Sequence, residues 1–111
     1  MGQIMKRYGM ILKLKPEFAS EYIRLHNSPD PLLLDALSAS NIRNNSVFYI
    51  NDLLFNYFEY HGNDFYSDWQ KYVNSPAALY AFAKMKGFFK PYGESFPKTS
   101  WTEMQEVFHK E

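Results

Sequence analysis

The sequence predicts one α+β domain in which an antiparallel sheet carries helices on one face. Three observations lead to this prediction. The chain has 111 residues, which is the usual size of a single domain. In some segments the apolar residues have the period of two that is typical of a strand, and in others they have helical spacing. These segments follow one another in the order β-α-α-β-β-α-α-β. Proline, glycine and asparagine stand at the borders between these segments. We therefore expect residues 1–111 to form one domain.

The first part of the chain predicts a strand and two short helices. Lys6–Leu14 alternates between two faces, as a strand does. Pro16 suits the first position of a helix that runs to Asn27. A second helix begins at Pro31 and stops at Asn41, a residue type that tolerates left-handed backbone.

The middle of the chain predicts a hairpin with an unusual second strand. Ile42–Ile50 and Leu53–Tyr60 read as strands joined by the tight turn Asn51-Asp52. Both faces of Leu53–Tyr60 are mostly apolar, whereas a sheet with one wet face alternates apolar and polar residues. Because helices can cover only one face, we expect a second copy of the chain to cover the other in a homodimer.

The last part predicts two more helices and a final strand. Asp64 is a good cap for the third helix, and Pro76 begins a fourth that ends near Gly87. Phe88–Lys98 is rich in breakers and predicts a loop, while Trp101–His109 alternates as the last strand. This order is the split β-α-β pattern of ferredoxin-like domains, with each helix broken in two.

Composition excludes several classes of function. Twelve Lys and Arg balance twelve Asp and Glu, so no net field attracts nucleic acid or an anionic membrane, and we expect a neutral ligand. The chain has no cysteine, which excludes disulfides and cysteine-based metal or redox sites. No apolar run approaches the roughly 20 residues that span a bilayer, and no signal-peptide core is seen. We expect a cytoplasmic protein without membrane contact.

Motifs for metals and cofactors are absent from the sequence. HxH, HExxH, GxSxG, Walker A and GxGxxG patterns do not occur. His61 and His109 read as solvated strand ends rather than ligands. We expect neither a bound metal nor a cofactor.

The candidate chemistry centres on Tyr22 and His26, which lie one helical turn apart on the same face. Imidazole titrates near neutrality, so His26 is the best proton-transfer candidate, and Tyr22 can donate or accept a hydrogen bond beside it. The alternative is that the pair packs at the margin of the core. Glu59 shares a strand face with Tyr57 and points either into a pocket or to a solvated dimer rim.

Aromatic residues make up 19% of the chain, and their rings suit cores, interfaces and sugar pockets alike. Trp69 and Trp101 read either as core residues or as platforms for a sugar. The composition does not choose between these uses.

Several blocks of sequence, taken together, resemble the L-rhamnose mutarotases. They occur in order along nearly the whole chain: Met5-Lys6-Arg7-Tyr8-Gly9, Glu21-Tyr22-Ile23-Arg24-Leu25-His26, Asn41-Ile42-Arg43-Asn44, Phe58-Glu59-Tyr60, Gly62-Asn63-Asp64-Phe65 and Met104-Gln105-Glu106-Val107-Phe108-His109. The resemblance implies a dimeric α+β barrel that converts the α and β anomers of L-rhamnose without metal or cofactor. It also implies that Tyr22 and His26 contact the sugar and that His26 donates the proton.

The chain departs from this family at three places where the pocket wall is expected. Asp30-Pro31-Leu32 replaces a Trp-Pro-Glu sequence, Asn45 replaces a sugar-binding Tyr, and Ala81-Phe82 replaces a Trp-Trp pair. The rings of Phe82, Tyr57 or Trp69 could serve in place of the missing Trp pair and pack against the sugar. The expected substrate-binding set is Asn45, Tyr57, Glu59, Ala81 and Phe82.

Two other functions fit the same sequence. One is a different enzyme on the same scaffold, of the monooxygenase or polyketide cyclase type, and an aromatic ligand would favour it. The other is a non-catalytic sugar-binding or structural dimer, which would bind a sugar without accelerating anomer exchange.

Overall fold

The computed structural model describes residues 5–111 and has the predicted α+β architecture. Residues 1–4 of the expected domain lie outside the described residues. A 3₁₀ turn at Pro16–Phe18 leads into the first helix. The strands are β1 (Lys6–Leu14), β2 (Ile42–Ile50), β3 (Leu53–Tyr60), β4 (Phe89–Pro91) and β5 (Thr102–Met104), and the helices are α1 (Ala19–Asn27), α2 (Pro31–Ala39), α3 (Phe65–Val73) and α4 (Pro76–Lys84).

The strands form one antiparallel sheet in the order β2-β3-β1, with β4 and β5 both paired to the remaining edge of β1. β4 pairs with Leu12–Leu14, and β5 pairs with Gly9–Ile11. This is the ferredoxin-like arrangement with its last edge strand split into two pieces. The predicted fold class is confirmed.

Because this edge of the sheet is divided into β4 and β5, two predictions about the end of the chain are wrong. β5 contains only Thr102–Met104 of the expected strand Trp101–His109, and β4 lies inside the expected loop Phe88–Lys98. Alternation in a sequence reports that side chains point to opposite sides, but it does not report whether the backbone finds a strand to pair with. Val107 and Phe108 are 86% and 71% exposed.

The borders between elements have the local causes that the sequence indicates. Asn51 and Asp52 have φ values of 49° and 60°, as a tight hairpin turn with two left-handed residues requires. Asn41, which follows α2, has a left-handed backbone with a φ of 64°. The Asp64 side chain accepts a hydrogen bond from the Ser67 backbone N–H at 3.1 Å, which caps α3.

Side chains of β3 alternate strictly between two environments. Leu54, Asn56, Phe58 and Tyr60 are buried on the side of the helices, with exposed fractions of 0–8%. Leu53, Phe55, Tyr57 and Glu59 are partly exposed on the other side, which we call the outer face. The core therefore lies between the helices and one face of the sheet.

The outer face continues onto β2. Phe48 and Ile50 lie opposite Phe55 and Leu53, and they are 63% and 58% exposed. Within residues 5–111 of one chain, no helix packs over this apolar surface.

Hydrogen bonds around Asp68 tie β3 to α3. The Tyr60 hydroxyl donates to Asp68 Oδ2 at 2.5 Å, and the Asn41 side-chain amide donates to the same oxygen at 3.1 Å. The Tyr60 hydrogen bond is the main cause that lowers the pKa of Asp68. Burial raises the pKa of Tyr60 to about 12, so its hydroxyl keeps the proton that it donates. A Cβ atom at Gly62 would overlap the Tyr60 hydroxyl.

Replacing Tyr60 with Phe should lower the free energy of unfolding by about 1–2 kcal/mol near neutral pH, because Asp68 loses a charge-assisted donor. The lowered folded-state pKa of Asp68 stabilises the protein above its unfolded-state value of about 3.9, and this contribution is lost as pH falls through the folded-state value. Urea unfolding of parent and Tyr60→Phe should therefore differ less in acid than at neutral pH.

The matched control for this experiment is Tyr66→Phe, because Tyr66 lies on α3 but is 60% exposed. We expect its free energy of unfolding to equal that of the parent at both pH values. A Tyr60→Phe loss that is the same in acid as at neutral pH would contradict the assignment to Asp68.

Candidate functional site

A cavity of about 710 Å³ lies between the helices and the buried face of the sheet. Small-molecule sites commonly occupy about 300–1,000 Å³. Helices α1, α2 and α4 form its walls, strands β1, β2 and β3 contribute its floor, and residues 98–101 close one side. Most of the lining side chains are apolar or aromatic.

Helix α1 presents Tyr22 and His26 to this cavity. Their rings stack with centroids 4.0 Å apart and planes at 28°. His26 Nδ1 lies 2.8 Å from the backbone carbonyl oxygen of Tyr22. A carbonyl oxygen only accepts hydrogen bonds, so Nδ1 carries a hydrogen and Nε2 is the nitrogen left for a ligand. The spacing of four residues along the helix is what brings these groups together.

The titratable side chains that line the cavity are those of Tyr22, His26, Tyr72, Lys86 and Lys98. Within the described part of the chain, no Asp or Glu lines the cavity. Burial raises the pKa of Tyr22, with a smaller effect from Tyr72, and burial raises the pKa of Tyr72 to about 12. Both hydroxyls therefore stay protonated at neutral pH and can donate hydrogen bonds, whereas an imidazole both takes and gives a proton near neutrality.

A bulge in β2 turns Asn45 toward the cavity. β2 uses one extra residue to advance from the partner of Glu59 to the partner of Tyr57. Asn44 occupies the bulge with φ 49°, and its side-chain amide donates to Glu59 Oε1 on the outer face at 2.6 Å. The next side chain, Asn45, consequently lines the cavity.

Tyr57 and Glu59 do not join the other candidates. Both lie on the outer face, where the Tyr57 hydroxyl donates to Glu59 Oε2 at 2.7 Å. This hydrogen bond is the main cause that lowers the pKa of Glu59. The alternative in which Glu59 points into the pocket is therefore corrected, as is the expected sugar contact of Tyr57. The alternating pattern correctly predicted that Tyr57 and Glu59 lie on the same face of β3, but the helices cover the opposite face.

Ala81 and Phe82 line the cavity from α4, as expected. The sequence left open whether Trp101 is a core residue or a platform for a sugar, and its side chain also lines the cavity. The sequence did not single out Tyr72 or Asn56, although both reach the cavity. A signal for Asn56 existed, because it is the one polar residue among the four buried positions of β3.

Among residues 5–111, no three His, Cys, Asp or Glu side chains are grouped closely enough to hold a metal ion. In the same described part of the chain, none of the helices has both the length and the apolar character that crossing a membrane requires.

Comparisons with known proteins give a family match and several similar solved structures. A family model described as L-rhamnose mutarotase matches residues 7–110. A solved L-rhamnose mutarotase from Formosa agariphila has a TM-score of 0.71 and 18% identity, over 96% of this chain and 99% of that one. Tetracenomycin F2 cyclase from Streptomyces glaucescens, a type-II polyketide cyclase, has a TM-score of 0.59 and 17% identity over the same shares. At these identities the two structures show a common fold alone. Curated protein sequences gave no significant match.

The His26 geometry predicts the tautomer of its neutral ring. We expect nitrogen NMR at alkaline pH to show a protonated Nδ1 and an unprotonated Nε2 for His26, because Nδ1 donates to the Tyr22 carbonyl. His109, which is exposed in the C-terminal segment, is the internal reference. A neutral His26 that carries its proton on Nε2 would contradict this hydrogen bond.

Proposed function

The chain belongs to the L-rhamnose mutarotase family, and on this basis we propose that it interconverts the α and β anomers of a deoxysugar, with L-rhamnose as the first candidate. The observation that carries the proposal is the Tyr22–His26 pair on the wall of a cavity of about 710 Å³. Both residues occupy the positions that the family resemblance assigns to sugar contact and proton transfer.

The reaction makes modest demands on a protein. Ring opening removes the proton from the anomeric hydroxyl and places a proton on the ring oxygen, which gives the open-chain aldehyde. Rotation about the bond to the aldehyde carbon and closure on its other face give the other anomer. No electrons or groups are exchanged with a co-reactant. A positioned acid and a positioned base suffice, and such groups each contribute about 10²–10⁴-fold.

We assign the main proton transfer to His26. Its Nε2 is the ring nitrogen not used by the Tyr22 carbonyl, and a neutral imidazole can take the anomeric proton and then return it to the sugar. Tyr22 is the second group: its raised pKa keeps the hydroxyl protonated, so it donates a hydrogen bond to a sugar oxygen. Glu59 has no such role in this proposal, because it lies on the outer face.

Sugar binding is assigned to rings and amides of the cavity. The apolar C–H faces of a deoxysugar pack against Phe82 and Trp101, and Asn45 offers an amide to a hydroxyl. Ala81 leaves space where the family resemblance leads one to expect an indole. This difference supports a sugar preference that is shifted from that of other family members.

A non-catalytic sugar-binding protein remains the main alternative, and catalysis itself separates the two. Saturation transfer between the two anomeric protons of L-rhamnose measures exchange directly. Binding without faster exchange would identify the non-catalytic protein.

We further propose that two copies of the chain pack through their outer faces. Phe48 and Ile50 are largely exposed there beside the partly exposed Phe55 and Leu53. Two sheets pack face to face when such apolar surfaces meet. The helices, and therefore the cavity, stay on the outside of such a dimer.

Replacing His26 with Ala should slow anomer exchange by about 10²-fold or more, because the proton carrier is lost. The melting temperature should change little, because His26 is exposed at the cavity wall. The exchange rate per folded molecule, measured by saturation transfer, is the readout.

The control for this substitution is His109→Ala, because His109 lies outside the cavity lining. We expect it to exchange anomers at the parent rate. A folded His26→Ala protein that also keeps the parent rate would remove the proposed mechanism.

The dimer proposal predicts a mass of twice the 13.1 kDa chain by light scattering at micromolar concentration. Phe48→Glu should yield monomers, because it places a charge in the buried interface. Tyr66→Glu, at a residue of similar exposure on α3, should remain dimeric. A monomeric parent protein would exclude this assembly.

A further inference from the structure

A smaller space, which we call the inner chamber, adjoins the cavity and shares lining residues with it. Its volume is about 50 Å³. A water molecule needs about 10–15 Å³ on this measure, so the chamber can hold a hydroxyl group. Seven of its ten lining residues also line the cavity. A substituent on a sugar in the cavity can therefore reach into it.

Two of the residues that line the inner chamber each carry a buried polar atom without a partner. Asn56 Oδ1 and Trp69 Nε1 are fully buried, and no group among residues 5–111 forms a hydrogen bond with either. The two residues are only 8% and 4% exposed, and both line the chamber. Buried polar atoms are nearly always hydrogen-bonded, so two in one small space point to a ligand.

The two atoms have complementary roles. Trp69 Nε1–H can only donate, and Asn56 Oδ1 can only accept. A hydroxyl group is the simplest group that satisfies both, because its oxygen accepts one hydrogen bond while its hydrogen donates another. A methyl group in the same position would leave both atoms unpaired.

We infer that the inner chamber binds one hydroxyl group of the substrate sugar, which accepts a hydrogen bond from Trp69 and donates one to Asn56. This inference rests on the proposed function and adds a site that determines which sugars are accepted. A site that pairs with a hydroxyl rejects the analogue that lacks it, because the buried partners are left without hydrogen bonds. The chain should therefore select sugars by one particular hydroxyl.

The test compares a sugar with its single-deoxy analogues, each lacking one hydroxyl. Affinity for L-rhamnose and for each analogue is measured by NMR titration. The parent protein should bind one analogue about 10- to 100-fold more weakly than L-rhamnose. In Asn56→Leu, L-rhamnose should fall to the affinity of that analogue, while the analogue itself should bind nearly as before. Trp69→Phe should affect the same analogue pair.

Met85→Leu is the matched control, because Met85 lines the cavity but not the inner chamber. It should preserve the discrimination between L-rhamnose and the deoxy analogue. The inference is overturned if Asn56→Leu and Trp69→Phe weaken every sugar equally, or weaken none. Such a result would mean that an ordered water occupies the chamber whichever sugar is bound.

Stability gives a second measurement that needs no ligand. Because an unpartnered buried amide oxygen costs free energy, Asn56→Leu should melt no lower than the parent protein. Asn56→Ala removes the amide without adding bulk, and its melting temperature shows whether crowding affects the Leu variant. If both variants fail to fold, Asn56 has a structural partner and the inference is wrong.

The result can be separated from that of the proposed function. Binding that depends on the inner chamber, without faster anomer exchange, would support the chamber and contradict catalysis. Normal exchange with unchanged sugar discrimination in Asn56→Leu would contradict the chamber alone. A protein that binds none of the sugars would overturn both.

Discussion

The rest of this structure depends on the strict alternation of side chains along β3. This strand is paired on both sides, to β1 and to β2, so its side chains determine what each face of the sheet contacts. Leu54, Phe58 and Tyr60 hold the helices on one side. A shift of one residue in register would exchange these side chains with those of the outer face, and the core would be lost. The same alternation places Asn56 in the cavity floor and Glu59 outside it.

Elements with local causes could be predicted from the sequence. The bounds of β1, β2 and β3 agree with prediction at both ends, because their turns depend on single residues such as Asn51 and Asp52 that accept left-handed backbone. The edge of β1 could not be predicted in this way. Whether β4 or β5 pairs there depends on the path of residues 92–101, which connects distant parts of the chain, and alternation within Trp101–His109 carries no information about that path.

The candidate site residues also divide into those that follow from local sequence and those that depend on packing elsewhere. The Tyr22–His26 pair follows from helical spacing, so the sequence alone places the two side chains together. Asn45, Ala81 and Phe82 were expected from the family resemblance, and the structure places them at the cavity. Glu59 was ambiguous because the covered face of a strand depends on packing elsewhere, not on the strand itself. Asn56 interrupts an otherwise apolar buried face, and that interruption was visible in the sequence before its surroundings were known.

The proposed function assigns proton transfer and sugar recognition to different parts of the cavity. In the described part of the lining, carboxylates are absent, and the proposed mechanism assigns proton transfer to His26 at the wall formed by α1. Sugar recognition is assigned to other residues. The small Ala81 on α4 offers little surface for stacking, while Trp101 lies at the end of the loop before β5. At the inner chamber, the lining residues Asn56 and Trp69 each have a buried polar atom without a partner. Under the proposed function, a chain with Ala81 on α4 and a buried donor and acceptor would gain selectivity from hydrogen bonds to a hydroxyl rather than from stacking alone. That arrangement would change which sugars are accepted while leaving the proton-transfer pair, and hence the class of reaction, as it is in the family.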